Sequence, residues 1–186
     1  MVPLMLLWMP ILLSAVIVFV ASSVVHMVLT HHRSDYGKLS AEDAVMEALR
    51  KYNIPPGDYM VPCATSPKSM KDPGFLEKIK KGPVIIMTVM KSGSFGMGSQ
   101  LAQWFLYCVV VSVFSGYIAG RALPSGTDYI SVFRFTGTVA FVGYALALWQ
   151  NTIWYKKAWT TTLKSTIDGL VYGLLTGGVF GWLWPL

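Results

Sequence analysis

The amino-acid sequence predicts an integral membrane protein that is mainly α-helical, with four transmembrane helices and a small α/β cytoplasmic domain between helices one and two. Hydrophobic residues make up 54% of the 186 residues, and charged residues make up 13%. That charged share is about half of what a soluble domain carries. The mean hydropathy is +0.52. Residues 31–98 hold 17 of the 24 charged side chains, which leaves the rest of the chain free to cross a bilayer.

The membrane-spanning segments follow from the lengths of the uncharged runs. A bilayer core of about 30 Å requires about 20 apolar residues in a helix. Runs that meet or approach this length predict helices at about 3–29, 101–120, 131–151 and 165–185. The chain therefore divides into a first transmembrane helix (1–30), a cytoplasmic domain (31–98) and a three-helix transmembrane bundle (99–186). The first run has no basic N-terminal region and no small-residue cleavage site, so we expect it to stay as an anchor.

Basic residues near the helix ends predict the orientation in the membrane. Six lysines and arginines flank the 31–98 loop or lie between helices three and four, whereas Arg121 and Arg134 lie on the opposite side. This asymmetry places both termini outside and residues 31–98 in the cytoplasm, in what we expect to be a bacterial inner membrane. Anionic lipid accounts for the net charge of +6, so nucleic acid is not expected as a partner.

The 31–98 loop has the pattern of a minimal α-β-α-β domain. Helices are predicted at 41–51 and 75–81, and strands at 59–64 and 83–90. Ser40 and Asp43 have capping-box spacing before the first helix, and Asp72-Pro73-Gly74 opens the second. The two strands and the helix between them are compatible with one right-handed β-α-β crossover. A domain this small has a weak core, so we expect support from the membrane, a second copy or a partner.

Two further features of the loop concern ligands. Lys78, Lys80 and Lys81 form a basic face on the second helix that suits an anionic lipid surface, and a solvated face is the alternative interpretation. Residues 92–98 (SGSFGMG) follow a strand and precede a helix, but their glycine spacing matches neither the dinucleotide fingerprint nor the P-loop. We interpret this segment as a flexible joint.

Small residues recur at intervals of four along two of the predicted transmembrane helices. They are Cys108, Ser112, Gly116 and Gly120 in the second helix, and Ser165, Gly169, Gly173, Gly177 and Gly181 in the fourth. This spacing lines one face of a helix and lets backbones approach closely. Each ridge predicts a close helix contact. The contact could be a parallel crossing of these two helices within the chain, an interface in a homo-oligomer, or an interface with another membrane protein.

His26 and Asp168 are the candidate polar functional residues. An intramembrane carboxylate often serves a proton or ion pathway, but Asp168 follows Ser165 at capping-box spacing, which favours a helix cap. We interpret His26 as a hydrogen-bonded interior histidine, with a ligand shared with another chain as the alternative. His31 and His32 are interpreted as interfacial anchors.

The sequence predicts no catalytic residue, no cofactor site and no metal site. Haem ligation by two histidines of one chain is not expected, because no helix facing His26 carries a histidine. Cys63 and Cys108 are the only cysteines, so neither a disulfide framework nor a thiolate zinc site is available.

These observations favour a non-catalytic accessory or scaffolding subunit of a membrane assembly, acting through its small-residue faces among membrane lipids. An oligomeric translocator of small solutes or ions is the alternative, and an intramembrane enzyme that uses His26 and Asp168 is the third hypothesis. The middle parts of helices three and four are nearly all glycine, alanine, valine, leucine and aromatic residues. This composition favours the accessory role over transport.

Overall fold

The computed structural model describes residues 1–93 and 96–186, which belong to two compact units. The first unit comprises Met1–Gly37 and Gly96–Leu186, and the second comprises Lys38–Phe95. Helix accounts for 67% of the chain, which confirms the mainly α-helical fold. The flexible joint expected at 92–98 includes Ser94 and Phe95, which lie outside the described residues.

The α-helices, in chain order, are α1 (Trp8–Ser23), α2 (Glu42–Arg50), α3 (Pro73–Lys81), α4 (Gly98–Ala122), α5 (Tyr129–Ala145), α6 (Trp149–Ile153) and α7 (Trp159–Trp182). The strands are β1 (Gly57–Val61) and β2 (Ile85–Val89). A 3-10 turn at Leu4–Leu7 leads into α1, and a π-helical segment at Val24–Val28 extends it. Helix α5 continues through a 3-10 turn at Leu146–Leu148 into α6.

Three helical segments are long and apolar enough to cross a membrane: Leu4–Val28, Gly98–Ala122 and Tyr129–Ile153. Their mean hydropathies are 2.6, 1.7 and 1.4, and they match the first three predicted spans within a few residues. Helix α7 is not among these segments, and it begins at Trp159 rather than near the predicted residue 165. The membrane character of the chain is therefore supported by three helices, and the fourth span stays a prediction.

The glycine ridge of α7 lies against α5. A Cβ atom added to Gly173 would lie 2.9 Å from the carbonyl oxygen of Gly137, and one added to Gly177 would lie 2.8 Å from that of Phe133. Real Cβ contacts are essentially never this short, so only glycine fits. The other ridge contacts join Gly169 to Ala145 and Gly181 to Tyr129. As the residue numbers rise along α7, the numbers of the contacted residues of α5 fall, so the two helices run antiparallel.

The small-residue ridge of α4 lies mainly against the N-terminal helix rather than against the ridge of α7. Ser112 Oγ accepts a hydrogen bond of 3.0 Å from Ser14 Oγ, and both side chains are fully buried. A Cβ at Gly120 would lie 2.6 Å from the carbonyl oxygen of Val2. A Cβ at Gly116 would meet Phe180 at 3.1 Å. The parallel crossing of the two ridges is wrong, because each ridge is occupied by a different, antiparallel neighbour.

The second unit is built on an antiparallel pair of strands. Gly57 of β1 pairs with Val89 of β2, and Val61 pairs with Ile85. The expected right-handed β-α-β crossover, which joins parallel strands, is therefore wrong. Parallel sheets require cover on both faces, whereas an antiparallel pair tolerates exposure. A segment with only two short helices cannot supply both covering layers.

Of the two helix starts predicted for the second unit, the structure agrees with that of α3 and differs from that of α2. Asp72 caps α3, since its carboxylate accepts a hydrogen bond of 3.1 Å from the backbone N–H of Phe75. The capping box predicted from Ser40 and Asp43 is wrong. Helix α2 begins at Glu42, and its N-cap residue, Ala41, has no side chain able to cap. Ser40 stands one position too early to reach the first turn.

Candidate metal centre

The candidate site lies in the first unit, where the chain leaves the first membrane-spanning segment. His26 belongs to the π-helical segment Val24–Val28, a geometry often found at functional sites. The backbone becomes extended at Leu29 and then forms a 3-10 turn at His31–Ser34. This change of direction stacks the imidazole of His32 on that of His26, with ring centroids 4.3 Å apart.

His32 lies between two carboxylates. Its Nε2 atom is 2.7 Å from Oδ2 of Asp168 on α7, and its Nδ1 atom is 2.6 Å from Oδ2 of Asp35. The neighbouring His31 is more peripheral, with Nε2 at 3.4 Å from Oδ1 of Asp168. Both ring nitrogens of His32 are therefore oriented by charged partners.

Lys164 fixes the 3-10 turn to α7. Its ammonium group lies 3.0 Å from Oδ1 of Asp35 and donates to Oγ of Ser34 at 2.8 Å. It also donates to the carbonyl oxygen of His31. The lysine thereby neutralises Asp35 and holds the turn in the position that presents His32 to Asp168.

The titration of the site reflects this pairing. Burial by itself would lower the pKa of His32, but its hydrogen bonds to Asp35 and Asp168 dominate and raise that pKa above the ordinary histidine value. Burial opposes the charged form of Asp35, yet hydrogen bonds from His32 and Lys164 lower the pKa of that carboxyl. The surroundings of His32 thus favour a positive charge.

Asp168 is not a helix cap. Because α7 begins at Trp159, Asp168 lies well inside the helix rather than in its first turn, and its side chain is 8% exposed. The capping-box interpretation with Ser165 is therefore wrong. A carboxylate this deeply buried requires charged or hydrogen-bonding partners, and the two histidines of the 3-10 turn supply them.

Three donor atoms converge at the site. One ligand atom each from His26, His32 and Asp168 lie within 4.8 Å of one another. Two imidazole nitrogens and a carboxylate oxygen form a donor set that suits divalent transition metals. Metal-binding histidines almost always direct their second nitrogen to a carboxylate or carbonyl, and Asp35 occupies that position for His32. The geometry can accommodate one metal ion with three protein ligands.

A cavity of about 270 Å³ adjoins the donor atoms. Its lining includes His26, Asp168, Trp104, Tyr144 and Tyr172. The two tyrosines are less than a tenth exposed, and within the described residues neither hydroxyl has a hydrogen-bond partner that meets normal geometry. The hydroxyl of Tyr144 lies beside the thiol of Cys108, a weak acceptor. Buried hydroxyls without acceptors are rare, and each calls for an explanation such as a bound water or ligand.

A second cavity, of about 260 Å³, shares His26 and Trp104 in its lining with the first. Its lining between α1 and α4 is mostly apolar and includes Met27, Met97 and Leu101. The indole N–H of Trp104 donates to Oγ of Ser22 at 2.7 Å, which fixes the orientation of this ring. Both cavities are mostly apolar, and the first also contains the carboxylate of Asp168 and two tyrosine hydroxyls.

Sequence analysis named His26 and Asp168, and the structure brings these two residues together. It missed His32, Asp35 and Lys164, because His32 was interpreted as an interfacial anchor. A usable signal was present, since His32 and Asp35 stand three residues apart directly after an apolar helix. The lipid-surface lysines lie on α3 in the other unit, and nothing tests their proposed role.

The chain matches no protein-family model, and neither a curated protein nor a solved structure is similar to it. We therefore infer its function from the contacts of the described residues.

Proposed function

We propose that this protein is a metal-dependent membrane protein that binds one divalent ion of the Zn²⁺ class through His26, His32 and Asp168. The observation that supports the proposal most directly is the position of Asp35, 2.6 Å from Nδ1 of His32. In a metal complex Nε2 of His32 binds the ion while Nδ1–H donates to Asp35. That is the carboxylate–histidine–metal arrangement of many metal sites.

The donor distances favour this assignment. In a tetrahedral zinc site with metal–ligand bonds of about 2.0–2.1 Å, neighbouring donors lie about 3.3 Å apart. The three donors here are within 4.8 Å of one another, so closure around an ion requires side-chain movements of an ångström or so. The ion would replace the proton that otherwise bridges His32 and Asp168.

The number of protein ligands favours a catalytic metal ion over a purely structural one. Structural zinc sites are closed by four protein ligands, whereas catalytic sites keep one position for water or substrate. The described residues offer three converging ligands, and His26 and Asp168 also line the cavity of about 270 Å³. We therefore favour a modified form of the intramembrane-enzyme hypothesis, in which His26 and Asp168 are ligands of an ion that activates a molecule in the cavity.

The proposed topology keeps four spans, with both termini outside and this centre at the cytoplasmic end. Hydrogen bonds join the two termini to the last turn of α4 and to the loop that follows it. Val2 N–H donates to the carbonyl oxygen of Gly120 at 2.8 Å, and Gly126 N–H donates to the carbonyl oxygen of Pro185 at 2.9 Å. Asp168 contacts the opposite end of α1 through His32. Helix α7 thus runs the length of the other three helices. This arrangement supports a fourth crossing.

Single-cysteine labelling tests this topology. In a chain whose own Cys63 and Cys108 are replaced by alanine, a membrane-impermeant thiol reagent added outside intact cells should modify Ser125→Cys and spare Ser66→Cys. The reverse pattern would overturn the orientation.

The accessory-subunit hypothesis stays a prediction, and the glycine ridges no longer support it. The glycine ridges that motivated it lie against helices of the same chain, so they give no indication of a partner. For the same reason, the ridges support neither a homo-oligomer nor an oligomeric translocator built on them.

Zinc content tests the metal centre. Tag-free protein should be stripped with a chelator, reloaded with Zn²⁺, passed over a desalting column and analysed by elemental mass spectrometry. We expect about one ion per chain in the wild type, and loss of that ion in His32→Gln and Asp168→Asn. His31→Gln is the matched control, because His31 is the adjacent histidine and lies outside the converging donor set. Equal zinc in wild type and His32→Gln would exclude the centre.

A further inference from the structure

Two neighbouring cavities of the first unit share His26 and Trp104 in their linings. Both linings are mostly apolar, and one of them also contains the buried hydroxyl of Tyr172 and two of the proposed metal ligands, His26 and Asp168. Together their volumes fall within the range of roughly 300–1,000 Å³ typical of sites for small organic ligands. A ligand that occupies both cavities needs an apolar chain and one polar end, as an amphiphile with a single chain has.

The charge of the loaded centre selects the headgroup. A divalent ion with two neutral histidines and Asp168 retains one net positive charge, and Asp35 is already paired with Lys164 at 3.0 Å. A bound cation is the dominant local charge in such a site. An anionic oxygen at the open position would neutralise the remaining charge. It would also give the hydroxyl of Tyr172 the acceptor that no described residue provides.

We propose that this site binds a single-chain carboxyl lipid, of the fatty-acid class. Its carboxylate occupies the open metal position and accepts a hydrogen bond from Tyr172, and its alkyl chain lies in the groove beside Met27 and Leu101. This inference rests on the proposed metal centre. Without the ion, Asp168 would repel the carboxylate, so lipid binding requires the metal.

Quenching of tryptophan fluorescence by 12-bromododecanoic acid tests the site, because Trp104 borders both cavities. The full-length protein in mild detergent should be loaded with Zn²⁺, and its zinc content should be measured on the same sample. We expect saturable quenching in the wild type, none in Trp104→Phe, and none after zinc is stripped. Acetate should not compete at the concentrations at which dodecanoate competes, because acetate lacks the chain.

The variant Tyr172→Phe removes a single hydroxyl and should weaken binding of the bromolipid about tenfold. Tyr117→Phe is its matched control, since Tyr117 lies on α4 outside the cavities and is 53% exposed, and it should bind like the wild type.

Full zinc content without saturable quenching would overturn this inference and leave the metal centre standing. Absence of zinc would overturn both. Equal quenching in wild type and Trp104→Phe would show partition into detergent, and saturable quenching without zinc would exclude the metal link. Either result contradicts the proposal.

Discussion

The two units of the chain obtain their structure in opposite ways. In the first unit, burial is achieved with small side chains, and the backbones of α5 and α7 come close enough that a Cβ at Gly177 would lie 2.8 Å from a carbonyl oxygen. In the second unit, no described residue of Lys38–Phe95 is buried. Consecutive residues of β2, Ile85 and Ile86, are 41% and 46% exposed. Because successive side chains of a strand point to opposite faces, one face of the strand pair is open, and the other, which carries Tyr59, Met87 and Val89, is only partly covered.

This difference agrees with the position of the candidate site. The first unit, with its close backbone contacts, buries Asp168 beside two histidines and has cavities next to them. The second unit covers its amphipathic helices only in part: Val45 and Leu49 on the apolar stripe of α2 are 39% and 42% exposed, although Leu49 lines one cavity together with Met87 and Val89 of β2. We infer that its order depends on contacts beyond its own residues.

The largest effect should follow from separating the second unit. A peptide of residues 38–93 buries too little apolar surface to offset the loss of conformational entropy, so we expect no cooperative thermal transition by circular dichroism and a narrow spread of amide proton shifts. The same amides should be more dispersed in the full-length protein in detergent. A cooperative unfolding transition of the peptide alone would remove the contrast between the two units.

A smaller but well-defined effect should follow from filling the glycine ridge. Gly177→Ile forces a branched side chain against the backbone of α5, and overpacking of this kind costs about 1–3 kcal/mol, occasionally more. The expected result is a lower thermal midpoint of the detergent-solubilised protein. Leu174→Ile on the same helix is the control, because Leu174 is 48% exposed. If both variants unfold at the wild-type temperature, the ridge does not hold the bundle together.

The smallest effect concerns pH in chelator-treated protein. The pKa of His32 is higher in the folded protein than in the unfolded chain, where it is about 6.5. The contact of His32 with Asp168 therefore stabilises the fold fully below a pH of about 6.5, and this stabilisation is lost as the pH rises through the pKa of the folded protein. The pKa of Asp35 is lower in the folded protein than in the unfolded chain, where it is about 3.9. Its ion pairs therefore stabilise the fold above a pH of about 3.9, and this stabilisation is lost as the pH falls through the pKa of the folded protein. The two contributions therefore coincide between about pH 4 and pH 6.5.

Thermal midpoints of wild type and His32→Gln, measured with chelator from pH 5 to pH 9, check this sign. The difference between them should shrink as pH rises above about 6.5. His31→Gln should keep the wild-type dependence. A difference that grows with pH would contradict the pairing of His32 with Asp168.

The sequence was informative where one physical constraint acts along the chain. Uncharged runs of spanning length predicted Leu4–Val28, Gly98–Ala122 and Tyr129–Ile153, since a bilayer core requires about 20 apolar residues. Asp72-Pro73-Gly74 predicted the start of α3, where Asp72 is the cap, because a helix start depends mainly on neighbours in sequence.

Features that depend on distant residues were missed. Spacing by four identifies a helix face but not its partner, so the antiparallel contact of α7 with α5 was not foreseen. The contact between His32 and Asp168 joins residues 136 apart in sequence. It depends on a π-helical segment and a 3-10 turn that hydropathy does not reveal. The start of α7 at Trp159 then places Asp168 inside the helix, where an apparent cap becomes a candidate ligand.

Cobalt substitution tests the central claim most directly, because tetrahedral Co²⁺ absorbs visible light far more strongly than the hydrated ion. Titration of tag-free, chelator-stripped protein with Co²⁺ should produce intense visible bands that saturate at one ion per chain and disappear on addition of Zn²⁺. His32→Gln should abolish the bands, His31→Gln should keep them, and Asp35→Asn should weaken Co²⁺ affinity roughly 10–100-fold. A wild-type spectrum no stronger than that of free Co²⁺, or the same spectrum in His32→Gln, would contradict the metal centre.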